Sequence, residues 1–222
     1  MFEPQKYFDL TNYAHRELFL GVESVWEAFG KLDSYLRQII SSIPTENRLK
    51  GDIRSGARLY GDDIVIEEGA LVESTAYIRG PVYIGKKTII GPGAFLRGPV
   101  VTGEGCIIGN STEAKNTIML NLAWASHFNY IGDSILGNNT AIGAGTQLAN
   151  TKINKKSVRI GNHGTDLKRL GAILGDETKS GCNVVFDPGT VVGKDCLILP
   201  MSYVRSGVYE KGLEKFELKK VL

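Results

Sequence analysis

A period of six governs this chain from Ile66 onward, and few other patterns restrict a fold so tightly. Stepping by six from residue 66 gives Ile66, Val72, Ile78, Ile84, Ile90, Leu96, Thr102, Ile108 and Ala114, and seven of these nine are Ile, Leu or Val. Gly85, Gly91, Gly103 and Gly109 stand immediately after the column. Four residues after it come small or β-branched side chains, among them Ala70, Ala76, Thr88, Ala94, Cys106 and Thr112. The pattern returns in a shifted phase at Leu136, Ile142 and Leu148, and again at Leu174, Ser180, Phe186, Val192, Ile198 and Val204. Each hexad suits one short flat strand, its aliphatic residue inward, and one corner whose backbone angles a glycine tolerates. Three hexads make a triangular coil, and coils stack as parallel strands. A generic β-sandwich would show period two and irregular turn spacing instead. The expected fold is mainly β, a parallel β-helix over residues 51–208, followed by a charged tail at 209–222.

Residues 1–50 read differently. After Thr11 and Asn12, either of which suits an N-cap, apolar residues recur at helical spacing: Val22, Val25, Trp26, Phe29, Leu32, Tyr35, Leu36, Ile39 and Ile40. Glu23, Glu27, Lys31 and Arg37 are left for solvent, and Pro44 ends the stripe. This helical N-terminal arm is expected either to recognise substrate or to cover one end of the β-helix, since a solenoid must hide its terminal coil.

A net charge of +2 on 222 residues gives no reason to expect nucleic acid or a membrane surface as partner. Cys106, Cys182 and Cys196 are widely spaced with no CxxC, which points to neither a disulfide framework nor a zinc motif. With no basic-then-apolar opening and no apolar run near the ~20 residues of a membrane span, a cytoplasmic protein is expected.

Two stretches depart from the period. Residues 119–130, MLNLAWASHFNY, lose the glycines and become aromatic. Residues 150–172 read as an inserted loop, with Lys152, Lys155, Lys156, Arg159, Lys168 and Arg169 against the single acid Asp166. Such a loop suits phosphates, and it equally suits plain solvent; loops leaving a rigid scaffold are where function concentrates. His127 is one of three histidines, with an unperturbed pKa near ~6.5 that fits a general base at neutral pH. Between Trp124 and Phe128 it also fits a satisfied core histidine. His15 and His163 are far from it in sequence, so no metal-ligand spacing exists.

The run HFNYIGDSILGNNTAIGAGTQLAN resembles the acetyltransferase domain of the bifunctional glucosamine-1-phosphate N-acetyltransferase/N-acetylglucosamine-1-phosphate uridylyltransferase family, in its archaeal form. GPGAFLRGPVVTGEGCIIGNSTEAKNT before it and RLGAILGDETKSGCNVVFDPGTVVG after it extend the likeness across residues 60–206. The resemblance implies that the β-helix is left-handed, a hand that parallel crossovers do not otherwise favour. It implies His127 as general base, Tyr130 as a substrate-positioning aromatic, and Asn150 as the amide that orients the amino sugar and supports the tetrahedral intermediate. Arg97, Lys115 and Lys156 match the cations on the sugar-phosphate side. Cys182 and Pro200 match small residues beside the coenzyme A arm.

Three departures accompany the likeness. Ala141 replaces an asparagine that touches the sugar in many members, Cys182 replaces a serine, and nothing in residues 1–50 resembles a nucleotide-binding domain. The implied activity is N-acetylation of an amino-sugar 1-phosphate by acetyl-CoA, without a metal and without uridylyl transfer, in a homotrimer. A non-catalytic trimeric β-helix that binds a sugar phosphate or nucleotide sugar, and an acyltransferase using another donor, are the competing readings.

Overall fold

The six-residue column becomes the interior of a triangular prism. All nine residues from Ile66 to Ala114 are fully buried, as are the small side chains at Ala70, Ala76, Thr88, Ala94, Cys106 and Thr112. Buried hydroxyls are satisfied by carbonyls of neighbouring strands, Thr88 donating to Gly103 at 3.0 Å and Thr117 to Ile131 at 2.9 Å. The computed structural model describes residues 1–210; most of the expected charged tail, residues 211–222, lies outside them. The prism is a left-handed parallel β-helix.

Its first face is an eight-stranded parallel sheet running from Asp52–Ile53 to Leu197–Ile198. The second and third faces form one folded sheet, because Phe95–Thr102 and Glu113–Met119 continue around the corner between them. Between residues 64 and 148 neighbouring strands pair at steps of 18 or 17 residues, as Ile89 with Ile107 and Ile107 with Trp124.

The shorter steps correct the reading of residues 119–130. They are an ordinary coil, with Met119, Ala125 and Ile131 buried inside. The phase slips because Asn116 alone occupies the corner that Gly98 and Pro99 occupy one coil earlier, a shift seen between Lys115 and Thr117. A second five-residue step, from Ile131 to Leu136, restores the column for Ile142 and Leu148.

The arm also departs from expectation. It does not sit on an end of the prism; it lies along the third face. The outward positions there form one ladder, Val65, Tyr83, Val101, Ile118, Ile135, Ile173, Val191 and Val208. Removing that apolar column from water is worth roughly 25 cal/mol per Å². Phe2, Tyr7, Phe8, Phe19, Trp26, Leu32, Leu36 and Ile40 cover it. Among the described residues the only long helix is Ala28–Ser41, with Leu32, Leu36 and Ile40 recurring every four residues on its buried side. Before it the chain makes short turns at Arg16–Phe19 and Val25–Glu27, because Gly21 takes a left-handed φ of 66° that no helix continues through. The arm runs against the order of the coils. Tyr7 and Asp9 bond Asp176, Asn12 bonds Asn121, Tyr13 bonds Met119, and Arg37 reaches Asp63.

The basic loop is anchored rather than free. Ile135 pairs with Ile173, a step of 38 that leaves residues 150–171 outside the coils, but Val158, Ile160 and Leu170 are buried in the same cluster as the arm. A small antiparallel pair, Arg159–Ile160 with His163–Gly164, shapes the loop. Among the described residues no helix is long and apolar enough to cross a membrane.

Candidate active site

Three of the residues singled out by sequence stand on the second face, and a fourth stands at its far corner. Lys115 pairs with Arg97 on one side and Gly132 on the other, so the two cations share one outward column. Tyr130 lies in the next outward column, paired with Glu113 and Gln147. Asn150 follows the strand Gln147–Leu148 and is buried.

Each cation has an acid one coil away. Arg97 holds Glu113 at 2.7 Å through both Nε and a terminal nitrogen, while its guanidinium lies 5.8 Å from the Phe95 ring centre. Lys115 Nζ lies 3.0 Å from Asp133 Oδ2, with both side chains largely removed from water. Asp133 is the hub: Asn116 donates to its Oδ1 at 2.7 Å, and Asn150 Nδ2 donates to its Oδ2. The Asn150 carbonyl oxygen accepts from Thr151 at 3.2 Å. Burial first, then Glu113 and Asp133, raise the Tyr130 pKa above the usual phenol value; Arg97 and a hydrogen bond from Asn150 oppose the rise. Gly132 makes this crowding possible, since a Cβ there would fall 2.6 Å from Tyr130 Oη and 2.7 Å from Asn150 Nδ2.

His127 belongs to a different place. It is exposed, on the corner between the first and second faces, paired with Asn110. The core-histidine alternative therefore fails for His127. The core histidine is His15, 4% exposed, bonded to Tyr35 Oη at 3.0 Å and pushed by burial to a pKa of about 4. Below His127 the corner continues through Ala144, Cys182 and Pro200. The pairings of Trp124 with Ala141, Ala141 with Lys179 and Lys179 with Leu197 carry the register down. Phe128, beside His127, holds a left-handed φ of 53° and is 60% exposed.

The second face thus gathers Arg97, Lys115, Tyr130 and Asn150, and the corner gathers His127, Cys182 and Pro200. Within one chain the groups stay apart. His127 and Asp133 are one side of the triangle from each other, about 20 Å of extended chain. Ala141 is on the first face beside Trp124, away from the cations. Lys156 is exposed on the loop beyond Asn150. Sequence reasoning assigned nothing to Asp133 or Glu113. The available signal was spacing near one coil, 18 residues from 115 to 133 and 16 from 97 to 113.

A model of the GMPPB C-terminal domain matches residues 78–165. The bifunctional protein GlmU of Methanococcus maripaludis strain C7 is 37% identical over 176 residues, 78% of this chain and 41% of its own length. The bifunctional sugar-1-phosphate nucleotidylyltransferase/acetyltransferase of Sulfurisphaera tokodaii is 31% identical over 202 residues, 87% of this chain and 50% of its own. The resemblance read from the motifs stands. This chain spans half or less of these curated relatives. Among solved structures, the acetyltransferase domain of PglB from Neisseria gonorrhoeae FA1090 aligns over 78% of this chain and 64% of that one, at 13% identity and a TM-score of 0.39, too loose a likeness to argue from.

Proposed function

We propose that the chain is an acyltransferase that moves the acetyl group of acetyl-CoA to the amine of an amino-sugar 1-phosphate. The observation that carries this reading is the pairing of Arg97 with Lys115 on adjacent coils, beside a half-buried tyrosine, on the outer surface of the prism. Two cations and a phenol suit a phosphate and its sugar. The exposed imidazole of His127, with Cys182 and Pro200 along the same corner, suits a base at the end of an extended thioester arm. In the reaction the amine nitrogen attacks the thioester carbonyl, His127 takes the nitrogen's proton, and the C–S bond breaks as that proton passes from the imidazole to the leaving sulfur, which releases coenzyme A as a thiol. No metal is needed for these steps, and no uridylyl transfer is assigned to the chain.

Because the cations and His127 are on different parts of one prism, the complete site is assigned to clefts between copies in a homotrimer. Leu122, Trp124 and Phe128 support this, as large apolar side chains left exposed along the first face and at its two corners, one of which carries His127. Light scattering that gives a monomer at micromolar concentration argues against it.

One observation favours the binding-only reading: both cations already hold carboxylates, so a bound anion must compete with Glu113 and Asp133. Thiol release from acetyl-CoA against a panel of amino-sugar 1-phosphates decides. Turnover supports the transferase; saturable binding without thiol release supports the binder.

A further inference from the structure

We infer that the first coils of the second face carry a nucleotide subsite, in which Tyr60 stacks on a base and Arg79 holds a phosphate. The acceptor sugar is then one linked to a nucleoside diphosphate. That substrate assignment rests on the acetyl-transfer reading; the subsite does not.

Two outward columns run down this face toward the residues already described. Tyr60 pairs with Arg79 and Arg79 with Arg97, so Tyr60, Arg79, Arg97 and Lys115 follow one another at about 4.8 Å per coil. In the neighbouring column Arg58 pairs with Tyr77, and Tyr77 with Phe95. The rings meet across the columns. Tyr60 and Tyr77 stack at 4.6 Å between centres and 17° from parallel, and Tyr77 meets Phe95 edge-on at 5.2 Å. Such a diagonal pair steadies two strands on its own.

Two observations go beyond strand stability. Tyr60 stays 47% exposed, because Arg58–Tyr60 is the first strand of its face and, among the described residues, no strand pairs on its outer edge. One side of the ring lies on Tyr77, and the other is open to a further flat group. Arg79 is exposed, and among the described residues its side chain has neither an ion pair nor a hydrogen bond. Asp63, at the neighbouring corner, is turned to Arg37 at 3.1 Å. Arg97 and Lys115, by contrast, each hold a carboxylate.

An unpaired guanidinium offers its whole fork to a phosphate, and a ring with a free side stacks on any base. The order along the face then matches one ligand. With the base on Tyr60, the first phosphate meets Arg79, the second meets Arg97 one coil on, and the sugar arrives beside Lys115 and Tyr130. The span is three coils, about 14 Å, which an extended nucleoside diphosphate sugar covers. A sugar 1-phosphate alone leaves Tyr60 and Arg79 unused.

The test is calorimetric titration of the full-length protein with AMP and UMP against ribose 5-phosphate. The nucleotides should bind roughly tenfold tighter than the base-free sugar, the share of one stacked base. Tyr60→Ala should erase that difference, Tyr60→Phe should keep it, and Arg79→Ala should weaken all three ligands roughly tenfold. Equal binding of nucleotides and ribose 5-phosphate, or nucleotide affinity unmoved in both alanine variants, overturns the subsite. A single-stranded oligonucleotide that binds tighter than either mononucleotide also overturns it, in favour of a nucleic-acid surface. Should Tyr60→Ala fail to fold, saturation-transfer NMR on the wild-type protein decides: the base protons should receive more magnetisation than the ribose protons, and the reverse overturns the proposal. For the substrate, kcat/KM for thiol release should be higher with a nucleoside-diphosphate-linked amino sugar than with the amino-sugar 1-phosphate, and the opposite order overturns that assignment. If neither acceptor releases thiol, the acetyl-transfer reading fails, and the titration still decides the subsite.

Discussion

The ring of Phe2 meets the imidazole of His163 edge-on, 5.1 Å between centres and at 82°, and so joins the start of the arm to the basic loop. Trp26 backs Phe2 from the arm side at 4.7 Å. The loop begins at Asn150, so the arm holds one border of the candidate site.

Phe2→Ala should free that border. Trypsin should cut among Lys155, Lys156, Arg159, Lys168 and Arg169 faster than in the parent protein. Leu36→Ala is the control: it removes a buried side chain nearer the first coils, costs about 2–5 kcal/mol, and should leave loop cleavage unchanged at temperatures where the protein stays folded. Equal cleavage of parent and Phe2→Ala counts against the tether.

His127→Ala should lower turnover by roughly 10²–10⁴. Because the side chain is exposed, its stability cost should stay within about 0.5 kcal/mol. Turnover and melting temperature measured on one preparation check both halves. Full activity removes His127 from the mechanism.

Phe128→Gly separates strain from association. A bulky residue at a φ of 53° carries a backbone cost of about 1–2 kcal/mol that glycine avoids. The monomer's unfolding midpoint should therefore hold or rise, while light scattering should show weaker self-association because an exposed ring is lost. Unchanged association excludes Phe128 from the subunit contact.

His15 sets an acid limit. Burial lowers its pKa from 6.5 to about 4, so between these values the unfolded chain binds the proton and the folded one does not. Stability is full above pH 6.5 and falls as pH drops toward 4, by about 3 kcal/mol in all. His15→Gln should flatten that part of the curve in urea unfolding measured from pH 7 to 4. An unchanged slope assigns the acid loss to other groups.

The interior was legible because each coil repeats it three times: Ile66 through Ala114 needed only a step of six. The third-face ladder from Val65 to Val208 was equally regular but appears once per coil. Its spacing also changes from 18 to 17 and then jumps across the loop, which hid it from a six-residue step. That concealed where the arm goes. In the site, Arg97 and Lys115 lie three hexads apart, so their adjacency could be read directly. Asp133 could not be read in the same way, because its contacts with Asn116 and Asn150 span 17 residues and depend on the two shortened corners. His127 was ambiguous for another reason: Trp124 and Phe128 look like core neighbours in sequence, yet both point outward.

Lys6, near the start of the arm, pairs with Glu210 beyond the last coil, 204 residues away. A bare solenoid is held by contacts between neighbouring coils and can fray from either end. Here a strap anchored at the first coil through Arg37 and Asp63 runs to the last. No coil can open at the far end without undocking it, and the strap cannot dock along its full length until every coil has formed. The chain should therefore unfold in one cooperative transition, and it should fold late in the sense of contact order, with its first residues among the last to find their place.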